Sequence, residues 1–386
     1  MKVLHLLKTS TGATWALRQL RELVTLGIEV HVALPEGPLV IEYQKHGIHT
    51  HILQTAIEIK KPWKNLSLFK RFRKLVDNIE PDIIHSHFVA TTLTMRIALG
   101  KNHHIKRIFH VPGPLHLEHK LFRTIELLSA GKPDYWLGSC RWTCNAYQSF
   151  GISSDKVGLV YYGVDLQQFK INLTANLHKE LSLSSNTKII GNVAYFYAPK
   201  KYLGQKRGLK GHEDLIDAID IVSKTQNDIV GVFVGGPWAG CQNYMNEVIK
   251  YAESKKYGKY YFLGLRKDVQ NLYGDFTLTV HPSHSENVGG AVESLFCQSP
   301  TISSNVGGFP DLVIPNKTGW LTPAKAPEKL AETITLALNS PNESSLYAKQ
   351  GRELAIKMFD VRSNAQDIRN YYIKLLKMNQ LGVKDD

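Results

Sequence analysis

The sequence predicts an α/β protein of two similar-sized domains, each a doubly wound parallel sheet. Three observations carry this. Short apolar or β-branched runs alternate with amphipathic stretches along most of the 386 residues, the pattern of parallel strands covered by helices on both faces. The alternation comes as two series separated by a polar stretch, 169–187, with few large apolar residues after Leu181. At ~150 residues per domain, the length allows two to three domains.

In the first series, strands are expected at 3–7, 30–34, 83–87, 107–111, 135–138 and 159–162, with amphipathic helices such as 15–26 and 117–130 between them. In the second, strands are expected at 188–194, 229–235, 261–263, 278–281 and 301–303, with helices near 211–224 and 244–255. The expected domains are therefore 1–168 and 188–360, joined by the linker 169–187. A last amphipathic helix follows at 361–378, then a polar, frayed tail at 379–386.

Hydrophobic residues make up 43% and charged residues 21% of the chain, which excludes a disordered or fibrous protein. The net charge of +13 points to anionic partners: phosphate compounds, nucleic acid or a lipid surface. Most of the excess sits in residues 1–180, with 23 basic and 14 acidic side chains. Four cysteines, Cys140, Cys144, Cys241 and Cys297, are too few for a disulfide scaffold. Cys140 and Cys144 have no second Cys/His pair nearby to complete a zinc site. The apolar run at the start is too short for a signal peptide and reads as a strand. No uncharged apolar run of about 18 residues occurs, so no membrane-spanning helix is expected.

The most informative stretch is 281–296, His-Pro-Ser-His-Ser-Glu-Asn-Val-Gly-Gly-Ala-Val-Glu-Ser-Leu-Phe. A strand runs out at His281, and Gly289 and Gly290 lead into a helix. The free N–H groups of a helix start bind anions or hydroxyls, and glycines let a ligand approach the backbone. Glu286 and Glu293 bracket that start, and ionised carboxylates accept several hydroxyl hydrogen bonds. A capping Glu286 and a solvated Glu293 are the plain alternative. A second Gly-Gly follows a strand in 305–311, and two such turns at strand ends point to one ligand crevice. Lys200, Lys201, Lys206, Arg207 and Lys210 crowd the loop after the strand 188–194, which suits a diphosphate; a solvated basic loop is the commoner case. Gly12 offers a further phosphate-side turn. His85, His87, His110, His116 and His119, with Glu118, gather at strand ends in the first domain, where they could donate, accept or shuttle protons. P-loop, H-E-x-x-H and G-x-S-x-G motifs are absent, as is the Asp-x-Asp pair that holds a metal-bound nucleotide diphosphate.

Taken in order, Pro81-Asp-Ile-Ile-His-Ser-His87, Ser139, Tyr162-Gly-Val-Asp-Leu-Gln-Gln-Phe169, Lys210-Gly-His-Glu213, Phe262-Leu-Gly264, Arg266-Lys-Asp-Val269, the segment 281–296, Val306-Gly-Gly-Phe-Pro-Asp311 and Thr318-Gly-Trp-Leu321 resemble the retaining GT-B glycosyltransferases of family four. The match runs over nearly the whole chain. It implies two Rossmann-like domains facing across a cleft, the nucleotide-sugar donor mainly on the second and the acceptor mainly on the first, with the last helix returning to the first domain. By this resemblance Lys210 and a nearby arginine, taken as Arg207, neutralise the donor diphosphate. Glu293 holds the ribose hydroxyls. Glu286 and the backbone from Asn287 through Val288 and Gly289 to Gly290 hold the donor sugar. His110 touches the sugar ring, Arg266 flanks the base, and the diphosphate lies near Gly12. His87, His116 and Glu118 fall on the acceptor side. The family spaces its two glutamates by seven intervening residues. Here six separate Glu286 from Glu293, so either the loop is one residue shorter or Ser285 takes the first position.

The resemblance implies a metal-independent enzyme with no cofactor beyond its nucleotide-sugar co-substrate, UDP-sugar before GDP-sugar, and a lipid-linked or polysaccharide acceptor. Lys60 to Lys74 carries seven basic residues and no acid, with Trp63, Leu66, Phe69 and Phe72 at three-residue spacing. Such a helix can rest on an anionic bilayer, or its aromatic stripe can pack on the sheet with the lysines solvated. A buried stripe with a basic rim toward lipid is expected, in a cytoplasmic protein able to rest on the cytoplasmic face of the inner membrane. The alternatives are a sugar-nucleotide epimerase or hydrolase of the same fold, or a basic nucleic-acid- or membrane-binding protein. The tandem glycine turns go unexplained by nucleic-acid binding, and no nucleic-acid partner is expected.

Overall fold

The computed structural model describes residues 1–58, 61–169, 171, 176–201 and 204–381. Lys60 of the basic segment, 170 and 172–175 of the expected linker and 382–386 of the expected tail lie outside the described residues. The chain folds into two compact units. Unit 1 is Met1–Asp165 with Met358–Asp386, and unit 2 is Leu166–Lys357. The stretch 169–187 lies within unit 2, where Leu177 is buried and its backbone N–H donates to Asp275 at 2.7 Å.

Among the described residues, unit 1 holds seven strands: β1 (Lys2–Leu6), β2 (Glu29–Leu34), β3 (His49–Ile52), β4 (Ile83–Ser86), β5 (Lys106–Val111), β6 (Asp134–Gly138) and β7 (Val157–Leu159). They form one parallel sheet in the order β3-β2-β1-β4-β5-β6-β7. Unit 2 holds β8 (Lys188–Val193), β9 (Ile229–Val234), β10 (Tyr260–Gly264), β11 (Leu278–His281), β12 (Thr301–Ser304) and β13 (Trp320–Thr322). Their order is β10-β9-β8-β11-β12-β13. In each sheet the order of strand addition thus reverses once, beside β1 in unit 1 and beside β8 in unit 2. In open α/β sheets ligands bind outside the strand C-termini at that reversal.

Helices cover both faces of the unit 1 sheet. On one face, Leu20 and Leu23 of the helix Thr14–Thr25 meet Ile368, Tyr372 and Leu375 of the helix Val361–Leu381. Fully burying an aliphatic side chain of this kind contributes about 1.5–3 kcal/mol. On the other face, Leu68, Phe72, Val76 and Ile79 of the helix Lys64–Ile79 pack on Leu4, Leu6 and Ala33.

This last helix corrects the expected stripe. Phe72 is buried and Phe69 half-buried, but Trp63 and Leu66 are 67% and 69% exposed. Three-residue steps advance about 300° on a helix, so such a stripe rotates away from the core, whereas the spacing 68, 72, 76, 79 stays on it. The expected helix 117–130 is broken at His119 into Leu115–Glu118 and Lys120–Ser129, because His119 takes an extended backbone conformation. No described helix is long and apolar enough to cross a membrane.

Candidate functional site

In unit 2, a cavity of about 370 Å³ opens at the sheet reversal. Its walls include Val193 and Ala194 from the end of β8, Val234 and Gly235 from the end of β9, and Gly290 from the helix after β11. Lys210, Arg266, Lys267 and Glu293 supply its charged groups. Strand ends, a helix start and mixed charge therefore meet at one place.

Two glycines make this local geometry. Gly211 has φ +70, and a Cβ there would lie 2.1 Å from the Pro282 carbonyl oxygen. Only glycine lets the loop bearing Lys210 pass this close to the segment after β11. Gly289, φ +42, opens the helix Gly289–Phe296; a Cβ there would fall 2.9 Å from Cδ of Glu286. The carboxylate thus lies against the helix start, and its Oε1 accepts from the Asn287 N–H at 3.1 Å. Its Oε2 is ion-paired with Lys210 Nζ. Ser285 is buried, at 5% exposure, so Glu286 is the group that meets Lys210. Val288 is buried at the N-cap and Asn287 Oδ1 is enclosed without a hydrogen-bond partner. Inside the helix, Glu293 accepts from the buried Tyr273 hydroxyl at 3.3 Å. Burial, then the nearby Glu293, raise the pKa of that hydroxyl.

The two arginines differ. Arg266 lines the cavity and donates to Asp268 at 2.8 Å and Glu180 at 2.6 Å. Arg207 is not among the lining residues. Its guanidinium sits 2.5 Å from Asp214 and 2.7 Å from Asp217. Burial opposes its charge, but these hydrogen bonds outweigh burial and raise its pKa. Asp214 also meets His284 Nε2 at 2.5 Å, which ties the Arg207 loop to the segment after β11. Sequence reasoning missed Asp214, because Arg207 lies in the loop before the helix His212–Val222 and no periodic spacing joins the two. It also missed Tyr197, a cavity-wall residue whose ring lies under Lys210 at 5.8 Å. Burial and the nearby Glu286 push the Tyr197 hydroxyl up to about 12.

In unit 1 the expected histidines gather, but inside the protein. His5, His85, His87 and His110 are all fully buried. His5 Nδ1 meets His87 Nε2 at 3.0 Å, and His87 Nδ1 meets the Tyr162 hydroxyl at 3.0 Å. His85 Nδ1 meets the Tyr372 hydroxyl at 2.5 Å. His110 stacks on Tyr162 with centroids 4.1 Å apart, and its Nε2–H donates to the Val160 carbonyl at 2.8 Å. Burial lowers its pKa to about 4, against the opposing pull of that hydrogen bond. His116 stands apart from this group, 3.1 Å from the Tyr147 hydroxyl, and burial lowers its pKa to about 4. Glu118 is exposed at the end of the same short helix. Gly12, φ +69, lies in the turn between β1 and the helix Thr14–Thr25.

Two doubly wound parallel sheets, one of seven strands and one of six, define the GT-B architecture of glycosyltransferases. The chain matches the family model Glycosyltransferase Family 4 over residues 12–168 and Glycosyl transferases group 1 over 201–354, and it belongs to the family-four glycosyltransferases. Among curated relatives, spore coat protein SA of Bacillus subtilis is 24% identical over 58% of this chain and 60% of its own length. A D-inositol 3-phosphate glycosyltransferase of Catenulispora acidiphila is 26% identical over 50% of this chain and 46% of its own. The chain thus spans about half the length of these relatives. Among solved structures, HepE of Anabaena, crystallised with UDP and glucose, superposes with a TM-score of 0.77 at 19% identity, covering 97% of this chain and 100% of that one. Sucrose-phosphate synthase of Thermosynechococcus elongatus gives a TM-score of 0.79 at 19% identity, covering 98% and 100%.

Proposed function

We propose that this protein is a retaining glycosyltransferase that moves a hexose or N-acetylhexosamine from a nucleotide-diphosphate sugar to a lipid-linked or polysaccharide acceptor without a metal. The observation that carries the reading is the meeting of Lys210, Arg266 and Glu293 around one cavity at the β8 reversal. In this reading the donor diphosphate takes over the Lys210 ammonium from Glu286. Glu286 is thereby released to accept hydroxyls of the transferred sugar. Glu293, steadied by Tyr273, accepts from the ribose hydroxyls, and Arg266 stands beside the base. The N–H groups of the helix start at Gly289 and Gly290 face the same ligand. As the glycosidic bond breaks, negative charge grows on the leaving diphosphate, and Lys210 stabilises it there. Arg207 enters as a positioning residue, acting through Asp214 and His284.

UDP is the favoured base, in line with the ligand named for HepE. The acceptor reading rests on unit 1. Trp63 and Leu66 are exposed on a helix rich in lysine and arginine, a surface suited to an anionic bilayer. Incubation with UDP-sugars and a lipid-linked saccharide, read by the anomeric proton coupling of the product, tests the proposal. Retention of the donor configuration is expected. Inversion, or donor breakdown that ignores every acceptor, overturns it.

A further inference from the structure

The β2–β3 edge of unit 1 carries a set of side chains that donor chemistry leaves unused. Parallel pairing sets His31 opposite His49 and Ala33 opposite His51. Alternate residues of a strand share a face, so Glu29, His31, His49 and His51 come together on one side of the edge. Glu29 Oε1 lies 2.9 Å from His31 Nε2. His31 Nδ1 lies 2.9 Å from His51 Nε2. The His49 ring stacks on His31 with centroids 4.7 Å apart. One donor atom each from Glu29, His31 and His49 falls within 4.8 Å of the other two.

Two imidazoles and a carboxylate that converge, with a third imidazole behind them, are the donor set of a borderline divalent cation such as zinc. Ligand atoms about 2.0–2.1 Å from a tetrahedral ion lie roughly 3.3 Å from one another. The Glu29–His31 pair is already near that spacing. Glu29 and His49 are exposed, so their rotation closes the remaining gap without disturbing the core. The His51 contact sets the tautomer. With Nδ1–H of His31 donated to His51, the lone pair on His31 Nε2 faces the ion, the arrangement that orients a ligating imidazole.

We propose that the β2–β3 edge is a zinc-class cation site, with Glu29, His31 and His49 as ligands, His51 orienting His31, and solvent at the fourth position. His5, His85 and His87 also converge, but that group is fully buried and no carboxylate is among its ligand atoms. A dication there would sit in low dielectric without a counter-charge. Lys2 Nζ, 3.9 Å from Glu29 Oε1, competes with the ion, yet it also donates to the Ile79 carbonyl and can remain there.

The test uses the untagged full-length protein, stripped with chelator and dialysed against Zn²⁺ alone, with bound metal counted and affinity measured by calorimetry. One zinc per chain is expected at micromolar free metal, with a higher melting temperature. Glu29→Gln and His49→Ala, at exposed positions that leave the core intact, each weaken binding at least tenfold. His51→Ala weakens it by about 10-fold through orientation alone. Failure to bind zinc at micromolar concentration overturns the proposal. So does binding that survives the Glu29→Gln, His49→Ala double variant, since the ion then lies elsewhere.

Discussion

Unit 1 and unit 2 share a strand order but treat their polar groups in opposite ways. In unit 1 one set of charges and one set of imidazoles are locked to one another inside the fold. Arg96 bonds Glu126 at 2.7 Å and Asp134 at 3.0 Å, Arg107 bonds Asp134 at 2.5 Å, and all four side chains are at most 1% exposed. Four buried histidines interlock with Tyr162 and Tyr372 close by. In unit 2, Lys210, Arg266 and Glu293 line an open cavity instead. The difference teaches that polarity at a strand end is not by itself a site. A group available to a ligand must face space, as Lys210, Arg266 and Glu293 do around β8.

Removing a buried charge should break the comparison most severely. Asp134→Ala takes the carboxylate from the buried Arg107 and leaves Arg96 with Glu126 alone, and breaking such pairs costs about 3–5 kcal/mol. A large drop in the denaturant midpoint is expected. A change below about 1 kcal/mol would mean that the network is solvated. In unit 2, Glu293→Gln should leave stability nearly unchanged while weakening nucleotide binding by about 1.5–3 kcal/mol, the worth of hydrogen bonds to a charged group. Calorimetry with UDP reads this directly.

Acid should separate the histidine cluster from the rest. Burial, with His110 nearby, lowers His5 to about 3, and burial lowers His110 to about 4. In the unfolded chain both titrate near 6.5. The unfolded state therefore binds protons that the native state refuses, so stability is full above pH 6.5 and is lost as pH falls toward the folded values. Each such histidine adds a slope of up to about 1.4 kcal/mol per pH unit. Urea midpoints between pH 7 and pH 4 should show this, with a shallower slope in His110→Gln. An unchanged slope would place His110 outside the titrating set.

The alternation of strands and helices was legible in the sequence because buried parallel strands are apolar runs, and the strands read there match all but two of the observed ones to within a few residues. The exceptions are β3 and β13. His49-Thr-His-Ile52 carries polar side chains on an edge strand, so it lacks the apolar signal that betrayed its neighbours. Trp320–Thr322 is three residues long. Lys210, Gly290 and Glu293 were legible from glycine turns and charge, Arg266 only from the family resemblance, and the four share the cavity wall. The place of Arg207 was not legible, because Asp214 and Asp217 capture it through tertiary contacts that no local pattern announces. Nor was the burial of His110, since a histidine at a strand end reads alike whether it faces a ligand or a stacked tyrosine.

The most direct test of the central claim is a thermal-shift titration of the full-length protein and its Lys210→Ala variant with UDP, GDP and ADP. Nucleotide at 100 times its dissociation constant stabilises the native state by about 2.7 kcal/mol. A selective rise in melting temperature with one diphosphate, UDP first, that disappears in Lys210→Ala is predicted. No shift with any nucleotide, or a shift that Lys210→Ala leaves intact, would contradict the assignment of the β8 cavity as the donor site.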